Sequence, residues 1–237
     1  MQLSSHEVHV WIIDLSITAA QKKQKYVILS NDEQKRADRF YAPLHQKRFI
    51  AAHAALRQIL GQYMQTAPND IVFDYTKHQK PFLSINPSHL AFNLAHSESL
   101  AVCAITLNHA IGIDIEKIKT KFPQAVAKRY FSQKENNHLR QQKNKKDKIR
   151  AFFDLWSRKE ALVKAVGKGL TLPLSSFSVS LDNKLEVILL EQQSWYVMPL
   201  DIHSDYKASL ASDQMIKSIS CWMFFDHESK LDKVFNL

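Results

Sequence analysis

The chain has 237 residues, 45% of them hydrophobic and 23% charged, which are ordinary proportions for a globular protein. Its 32 basic residues outnumber its 23 acidic ones and give a formal net charge of +9, so we expect an anionic partner: a phosphorylated ligand, an acidic protein or nucleic acid. The sequence has no run of about 18 apolar residues, which excludes a membrane-spanning helix, and its N-terminus lacks the features of a signal peptide. We therefore expect a cytoplasmic protein whose cysteines, Cys103 and Cys221, are buried thiols, with a disulfide as the less favoured alternative.

The first half of the chain predicts a buried strand, a polar helical segment and a long amphipathic helix. The helix is predicted at Leu44–Tyr63, where apolar residues recur with the helical period, and Gly61 marks its predicted end. The other elements predicted here are a strand at Val8–Leu15, helical structure over Thr18–Arg39, a strand at Ile71–Tyr75, a turn region over Lys77–Pro87, and a hairpin of Leu90–Leu94 and Leu100–Leu107.

The second half repeats this order loosely. A strand is predicted at Ile111–Glu116 and a long helix at Phe152–Val166, ending at Gly167. Later strands are predicted at Phe177–Leu181, Leu185–Leu190, Trp195–Leu200 and Ser218–Phe225. The repetition predicts an α+β fold of two similar α/β halves, residues 1–110 and 111–237, with a ligand cleft between them.

Two carboxylates lie on one face of the strand GIDIEK at Gly112–Lys117. Side chains two apart share a face of a strand, so Asp114 and Glu116 are expected about 7 Å apart along the chain. Like charges so placed repel each other unless a cation lies between them. On composition alone, a solvated sheet edge is an equally good interpretation.

The helical segment WSRKEALVKAVGKGL, Trp156–Leu170, carries a second polar set. Trp156, Glu160 and Lys164 are four apart and share one face of the helix. Taken alone, Glu160 and Lys164 are more simply a surface ion pair that contributes a few tenths of a kcal/mol. Both sets, however, lie among apolar residues, where charges need a partner or a metal. If Glu160 lies beside the strand carboxylates, the three acids form an oxygen-rich site suited to Mg²⁺.

These two segments resemble the signature pair of the 4′-phosphopantetheinyl transferases, in particular the two-domain surfactin-synthetase-activating type. The similarity extends to KRADRFY (Lys35–Tyr41), HQKPFL (His78–Leu83) and FNLAHSES (Phe92–Ser99), and covers roughly residues 33–180. It implies a pseudo-dimer of α/β halves, each a small antiparallel sheet packed against a long helix, with the active site between them. It also implies an enzyme that transfers the 4′-phosphopantetheine arm of coenzyme A to a serine of an acyl or peptidyl carrier protein and releases 3′,5′-ADP. Such an enzyme serves fatty-acid, polyketide or nonribosomal peptide biosynthesis.

The resemblance also implies the roles of individual residues. Asp114, Glu116 and Glu160 would hold Mg²⁺, with Mn²⁺ as the alternative, and Glu160 would also be the general base for the serine proton. Lys164 would neutralise the leaving phosphate, and Trp156 would wall the site. The coenzyme A contacts implied in the first half are Arg36, Arg48, Lys80 and His96.

Three positions depart from the family pattern. Glu33 stands where better-known members carry a basic residue, Ala95 stands where serine is usual, and Gln79 replaces a glycine. None of them belongs to the carboxylate set. We therefore expect weaker or differently distributed coenzyme A contacts, and retained activity.

The basic segment Lys117–Phe131 leaves the carboxylate strand directly, and we expect an acidic carrier protein to dock near it. The run Arg140–Arg150 has six basic residues and one acid and is more simply a solvated loop or frayed helix, with an anionic partner's docking site as the alternative. A monomer is expected, because one chain supplies both halves of the cleft.

Three other functions compete with the transferase. A nucleic-acid-binding protein would explain the charge, but no recognisable module is present. A Mg²⁺-dependent phosphohydrolase would use the same carboxylates with water as nucleophile. A carrier-binding factor with a dead site is disfavoured by the intact acids and lysine. We expect neither a nucleic acid nor a membrane as partner, and the identity of the carrier protein does not follow from the sequence.

Overall fold

The first strand of the chain, β1 (Glu7–Asp14), is buried along most of its length, as expected of the continuous apolar run VHVWII. The computed structural model describes residues 1, 3–225 and 228–236; for Leu170 and for 228–236 it describes the backbone alone. Among these residues, β1 is the central strand of a five-stranded sheet. The order of that sheet is β11-β10-β1-β5-β4, with β4 at Leu90–Ser97, β5 at Leu100–Leu107, β10 at Ser218–Phe225 and β11 at Glu228–Asn236. Only the β1–β10 pairing is parallel.

The second sheet is antiparallel and has the order β6-β9-β8-β7. Its strands are β6 (Ile111–Lys117), β7 (Glu186–Leu190), β8 (Gln193–Leu200) and β9 (Tyr206–Ser212). A separate two-stranded ribbon is formed by β2 (Phe73–Tyr75) and β3 (Pro81–Leu83).

The two sheets pack face to face, and a long helix covers the outer face of each. The shared inner core takes residues from both sheets, among them Val10, Val102, Ile113, Ile115 and Leu210. Helix α3 (Pro43–Met64) packs on the first sheet and helix α6 (Lys145–Val166) on the second. The shorter helices are α1 (Ala19–Tyr26), α2 (Asn31–Asp38), α4 (Gln124–Tyr130) and α5 (Gln133–Arg140). The layers therefore run helix, sheet, sheet, helix.

Gly112 allows α6 to lie unusually close to β6. A Cβ at this position would come within 2.1 Å of the Ala161 carbonyl oxygen and 2.3 Å of the Ala165 amide nitrogen, so no side chain fits. Gly112 shares its strand face with Asp114 and Glu116. That face therefore packs against the second half of α6, which carries the predicted catalytic residues Glu160 and Lys164.

Most of the predicted elements are confirmed, including β1, α3, the β4–β5 hairpin, β6 and α6, and both cysteines are buried. The predicted helix end at Gly61 is wrong, because α3 continues to Met64 and ends with Gln65 in the left-handed region at φ 52°. Gly61 instead leaves room for the turn, since a Cβ there would lie 2.7 Å from the Thr66 carbonyl oxygen.

The strand predicted at Phe177–Leu181 is also wrong. Within the described part of the chain the segment pairs with no strand, although Phe177 and Val179 are buried. The Val179 amide donates to the Glu135 carboxylate instead. Strands β3, β9 and β11 were not predicted. The run Arg140–Arg150 ends α5, crosses a short turn and forms the first turns of α6. No helix within the described part of the chain is long and apolar enough to cross a membrane.

The α+β class is confirmed, whereas the relation between the two halves stays a prediction. Sheet membership does not follow the predicted division at residues 110/111, because β10 and β11 return to the first sheet and β10 pairs with β1. The last strands of the second half thus complete the sheet of the first.

Candidate active site between β6 and α6

Asp114 lies at the centre of the site and is 5% exposed. Lys164 donates from Nζ to Asp114 Oδ1 at 2.6 Å and to the Ile113 carbonyl at 3.3 Å. The second oxygen, Oδ2, is buried and has no hydrogen-bond partner among the residues that the structure describes. Burial raises the pKa of Asp114, against the opposing effect of Lys164. A buried carboxylate oxygen without a donor is costly and indicates that a further group belongs there.

Glu116 lies two residues further along the same face of β6. Trp156 of α6 donates from Nε1 to Oε1 at 3.1 Å, and Ser97 of β4 donates from Oγ to Oε2 at 3.1 Å. Burial, followed by the charge of Asp114, raises the pKa of Glu116 to about 7. The carboxylate is therefore held in one orientation by residues from two other elements.

Glu160 faces the same region from α6 and is half-buried. Burial and the charge of Asp114 raise its pKa, while Lys164 acts in the opposite direction. Glu160 and Lys164 also line a cavity of about 260 Å³, together with Lys80, Asn93 and Gly167 among others. The structure thus places Glu116 and Glu160 each within electrostatic range of Asp114, and Lys164 pairs directly with Asp114.

The three carboxylates do not form a closed metal site as they stand. Among the described residues, no three His, Cys, Asp or Glu side chains are grouped so as to hold an ion. The chemistry of the donors nevertheless fits a hard divalent cation: all are carboxylate oxygens, one is buried without a partner, and the charge of Asp114 raises the pKa of the other two acids.

His96, at the end of β4, faces this site from the first sheet. It is exposed, and partial desolvation together with the positive charges of His53, Lys164 and Arg48 lowers its pKa. Arg48 also forms an ion pair with Glu98 at 3.0 Å. The wall that faces the carboxylates is therefore electropositive, which suits phosphate groups.

The structure places Arg36 against an aromatic ring and Lys80 against main-chain carbonyls. The Arg36 guanidinium lies 5.2 Å from the centre of the Phe49 ring. The Lys80 ammonium donates to three main-chain carbonyls, those of Ile111, Lys164 and Ala165. The structure therefore brings Lys80 next to the site but turns its ammonium group to the backbone.

The departure at Glu33 has a structural explanation. Glu33 is 5% exposed and caps α2 together with Ser30. Its carboxylate pairs with Arg57 Nε at 2.6 Å and His53 Nδ1 at 2.9 Å. Although burial acts to raise it, these partners and the Ser30 amide lower the pKa of Glu33 to about 2. Glu33 is thus a fully paired internal carboxylate.

Of the other two departures, the fold accommodates Ala95, whereas Gln79 adopts a backbone conformation that favours glycine. Ala95 is buried in the core between the sheets, where an apolar methyl group packs well. Gln79 adopts φ 64°, a left-handed conformation that a glycine takes without strain.

Two positioning residues in β4 were missed, Asn93 and Ser97. Asn93 Oδ1 accepts from the Ile113 amide at 2.8 Å, and Ser97 Oγ accepts from the Lys117 amide at 3.0 Å. Both lie in FNLAHSES, from which only His96 was selected. A signal was present, because a polar residue such as Asn93 inside a buried strand needs a hydrogen-bond partner.

Comparison with known proteins identifies the family. Residues 110–211 match the family model of the 4′-phosphopantetheinyl transferase superfamily, and residues 17–108 match that of the 4′-phosphopantetheinyl transferase N-terminal region. The 4′-phosphopantetheinyl transferase HetI of Nostoc sp. is 37% identical over 203 residues, 84% of this chain and 85% of that protein. The 4′-phosphopantetheinyl transferase Sfp of Bacillus subtilis is 30% identical over 203 residues, 84% of this chain and 89% of that protein. The 4′-phosphopantetheinyl transferase psf-1 of Bacillus pumilus is 34% identical over 68% of this chain and 67% of its own length.

Proposed function

Because the chain belongs to the 4′-phosphopantetheinyl transferase superfamily and is an enzyme of this class, we propose that it transfers the 4′-phosphopantetheine arm of coenzyme A to a serine of an acyl or peptidyl carrier protein. The reaction releases 3′,5′-ADP and depends on Mg²⁺. The observation that carries the proposal is the buried carboxylate of Asp114 on β6: Lys164 binds one of its oxygens, the other has no partner among the described residues, and Glu116 and Glu160 lie near it.

In the proposed reaction, the serine oxygen attacks the β-phosphorus of the coenzyme A pyrophosphate. The bond from that phosphorus to the bridging oxygen breaks, and 3′,5′-ADP leaves with the bond's electron pair. Glu160 takes the serine proton, directly or through a water.

Asp114, Glu116 and Glu160 are the proposed ligands of Mg²⁺, with Mn²⁺ as the alternative, and the bound ion would neutralise charge on the pyrophosphate oxygens. Ser97 and Trp156 fix the orientation of Glu116 for this role. The buried unpartnered oxygen of Asp114 supports the assignment.

The positive residues are the proposed contacts of the phosphate groups. Lys164 neutralises the charge that develops on the leaving phosphate, and His96 and Arg48 bind the 3′-phosphate or the pyrophosphate. Arg36, stacked on Phe49, is the proposed further contact for the nucleotide end, since a guanidinium binds phosphate with a bidentate fork.

The proposed carrier-docking surface is the segment Lys117–Phe131, which includes α4. Beside it lies a cavity of about 370 Å³, lined among others by Phe122, Lys128 and Arg140. Lys148 places Nζ 4.6 Å from the centre of the Phe122 ring. A basic surface with an accessible aromatic ring suits a carrier protein of acidic character. We propose that the enzyme acts as a monomer.

The test is mass spectrometry of candidate apo-carrier proteins incubated with this protein, coenzyme A and Mg²⁺. A gain of about 340 Da on one serine, the mass of the transferred arm, is the expected result of this chemistry. An unmodified serine in every acceptor contradicts the proposal. Coenzyme A hydrolysed in the absence of any carrier supports the phosphohydrolase instead.

A further inference from the structure

Lys80 uses its whole donor capacity on the protein backbone. Its Nζ donates to the Ile111 carbonyl at 3.0 Å, to the Lys164 carbonyl at 2.6 Å and to the Ala165 carbonyl at 3.3 Å. An ammonium group has three N–H donors. None is therefore left for a phosphate or for the adenine of coenzyme A.

Two of the three carbonyls that Lys80 binds are ones that a helix cannot satisfy by itself. The last four carbonyls of an α-helix lack partners within the helix, and they form the negative end of its dipole. In α6, the Gly167 amide satisfies the Val163 carbonyl, and Lys80 satisfies those of Lys164 and Ala165. The aliphatic stem of Lys80 lies along the same turn, since a Cβ at Gly167 would be 3.6 Å from Lys80 Cδ.

The third carbonyl, that of Ile111, belongs to the first residue of β6. One cation from the β2–β3 ribbon thus joins the end of α6 to the beginning of β6. Next to this junction, Gly112 lets the backbones of the two elements come into contact. Lys164 is held twice, by its carbonyl to Lys80 and by its ammonium to Asp114 at 2.6 Å.

From this geometry we propose that Lys80 is a positioning residue: it fixes α6 against β6, and thereby sets the distance between Lys164 and the strand carboxylates. The role of a coenzyme A contact, which the resemblance implied, is replaced by this one. Desolvation lowers the pKa of Lys80 to about 8, which agrees with an ammonium turned into the protein. The inference rests on the proposed function, because its kinetic test uses phosphopantetheinyl transfer.

The test compares Lys80→Met, which keeps the stem and removes the donors, with Lys77→Met, an exposed lysine of the same turn. In K80M we expect kcat to fall about 10- to 100-fold through misplaced catalytic groups, while the KM and the calorimetric Kd for coenzyme A change less than about twofold. Amide hydrogens of residues 163–168 should exchange about 10-fold faster in K80M, because the last turn of α6 opens more often. K77M should match the wild type in every measurement.

Chemical rescue separates the ammonium group from the rest of the side chain. Lys80→Cys alkylated with 2-bromoethylamine regains an ammonium at nearly the original length, and its kcat should recover; alkylation with iodoacetamide should leave kcat low. The two native cysteines are buried, so the introduced thiol is the expected target. Should K80M fail to fold, Lys80→Arg takes its place, since a planar fork cannot donate to the same three carbonyls; kcat should again fall at an unchanged KM.

Two results would overturn the inference: a raised KM and Kd for coenzyme A at an unchanged kcat, or unaltered amide exchange at the end of α6 in a folded K80M protein. A wild-type protein that modifies no carrier would refute the proposed function alone. The exchange measurement needs no substrate, and it then decides the positioning role by itself.

Discussion

Two clusters of charged side chains in this molecule have opposite balances of charge. In the first, Glu33 alone faces two basic partners, Arg57 and His53, and its pKa is lowered to about 2. In the second, three carboxylates share the ammonium group of Lys164, and their pKa values are raised. The first cluster has satisfied all of its charge within the chain, whereas the second has not.

The difference separates a structural carboxylate from a binding one. A buried acid that is fully paired contributes to the fold and gains nothing from a ligand. A group of buried acids with too little positive charge is destabilising by itself, and becomes stable when a cation arrives. The carboxylate of Glu33 therefore stabilises the fold, whereas those of Asp114, Glu116 and Glu160 bind the metal in the proposed function.

The largest expected effect is on the fold, in the paired cluster. Replacing Glu33 with alanine leaves Arg57 buried without its carboxylate, and should lower the free energy of unfolding by about 3–5 kcal/mol. The matched control is Asp32→Ala, which removes a solvent-exposed ion pair with Lys35 and should cost less than about 0.5 kcal/mol. Urea unfolding measures both. Equal losses in the two variants would show that Glu33 is not internally paired.

In the second cluster the corresponding substitution should affect catalysis and leave the fold intact. Glu160→Gln removes the proposed base and one metal ligand, so kcat should fall about 10²-fold or more. Its free energy of unfolding without metal should stay the same or rise, because a repulsive charge is lost. Holo-carrier formation and urea unfolding are the measurements, with Glu191→Gln, at an exposed ion pair with Lys168, as the control. A Glu160→Gln variant with a normal kcat and a lowered free energy of unfolding would show that Glu160 is a structural carboxylate, as Glu33 is.

Removing the single cation of the second cluster should make its imbalance worse. Lys164→Met leaves Asp114 buried without its partner, which should cost about 1–3 kcal/mol of stability in metal-free buffer. Mg²⁺ should restore part of this loss, since the ion replaces the missing positive charge. Thermal unfolding with Mg²⁺ and with EDTA tests the prediction. The same loss with and without the metal would mean that no cation binds beside Asp114.

The last expected difference is in how folding stability depends on pH: the contributions of Glu116 and Glu33 have opposite signs. The pKa of Glu116 is raised from 4.5 to about 7, so the folded state keeps a proton that the unfolded chain has released. Its contribution to stability is present below pH 4.5 and is lost as the pH rises through 7, a fall of at most about 3 kcal/mol that the partial exposure of Glu116 reduces. The contribution of Glu33 has the opposite sign: it is present above 4.5 and is lost as the pH falls toward 2.

Unfolding of the metal-free protein between about pH 5 and pH 7.5 measures the first contribution. Glu116→Gln should flatten the slope in this range, and Glu33→Gln should leave it in place. Equal slopes for the wild type and Glu116→Gln in this range would contradict the raised pKa of Glu116.

Local patterns made part of this site predictable. The period of two placed Asp114 and Glu116 on one strand face, and the spacing of four placed Glu160 and Lys164 on one helix face. The helix end at Gly167 also followed from a local signal, the left-handed conformation that glycine allows.

What could not be predicted depends on contacts between distant segments. The pairing of β1 with β10 joins residues more than two hundred positions apart, and no local pattern encodes it. The bonds from Lys80 to α6 and from Ser97 to Glu116 likewise arise only when the halves pack together. Glu33 shows the same limit, because the partners that make it structural lie on another helix.

The measurement that tests the account most directly is calorimetric titration of Mg²⁺ into the protein in the presence of coenzyme A. We predict one ion per chain for the wild type, no binding for folded Asp114→Asn, and unchanged binding for the control Asp32→Asn. Equal binding by the wild type and Asp114→Asn, or no binding by the wild type, would contradict it.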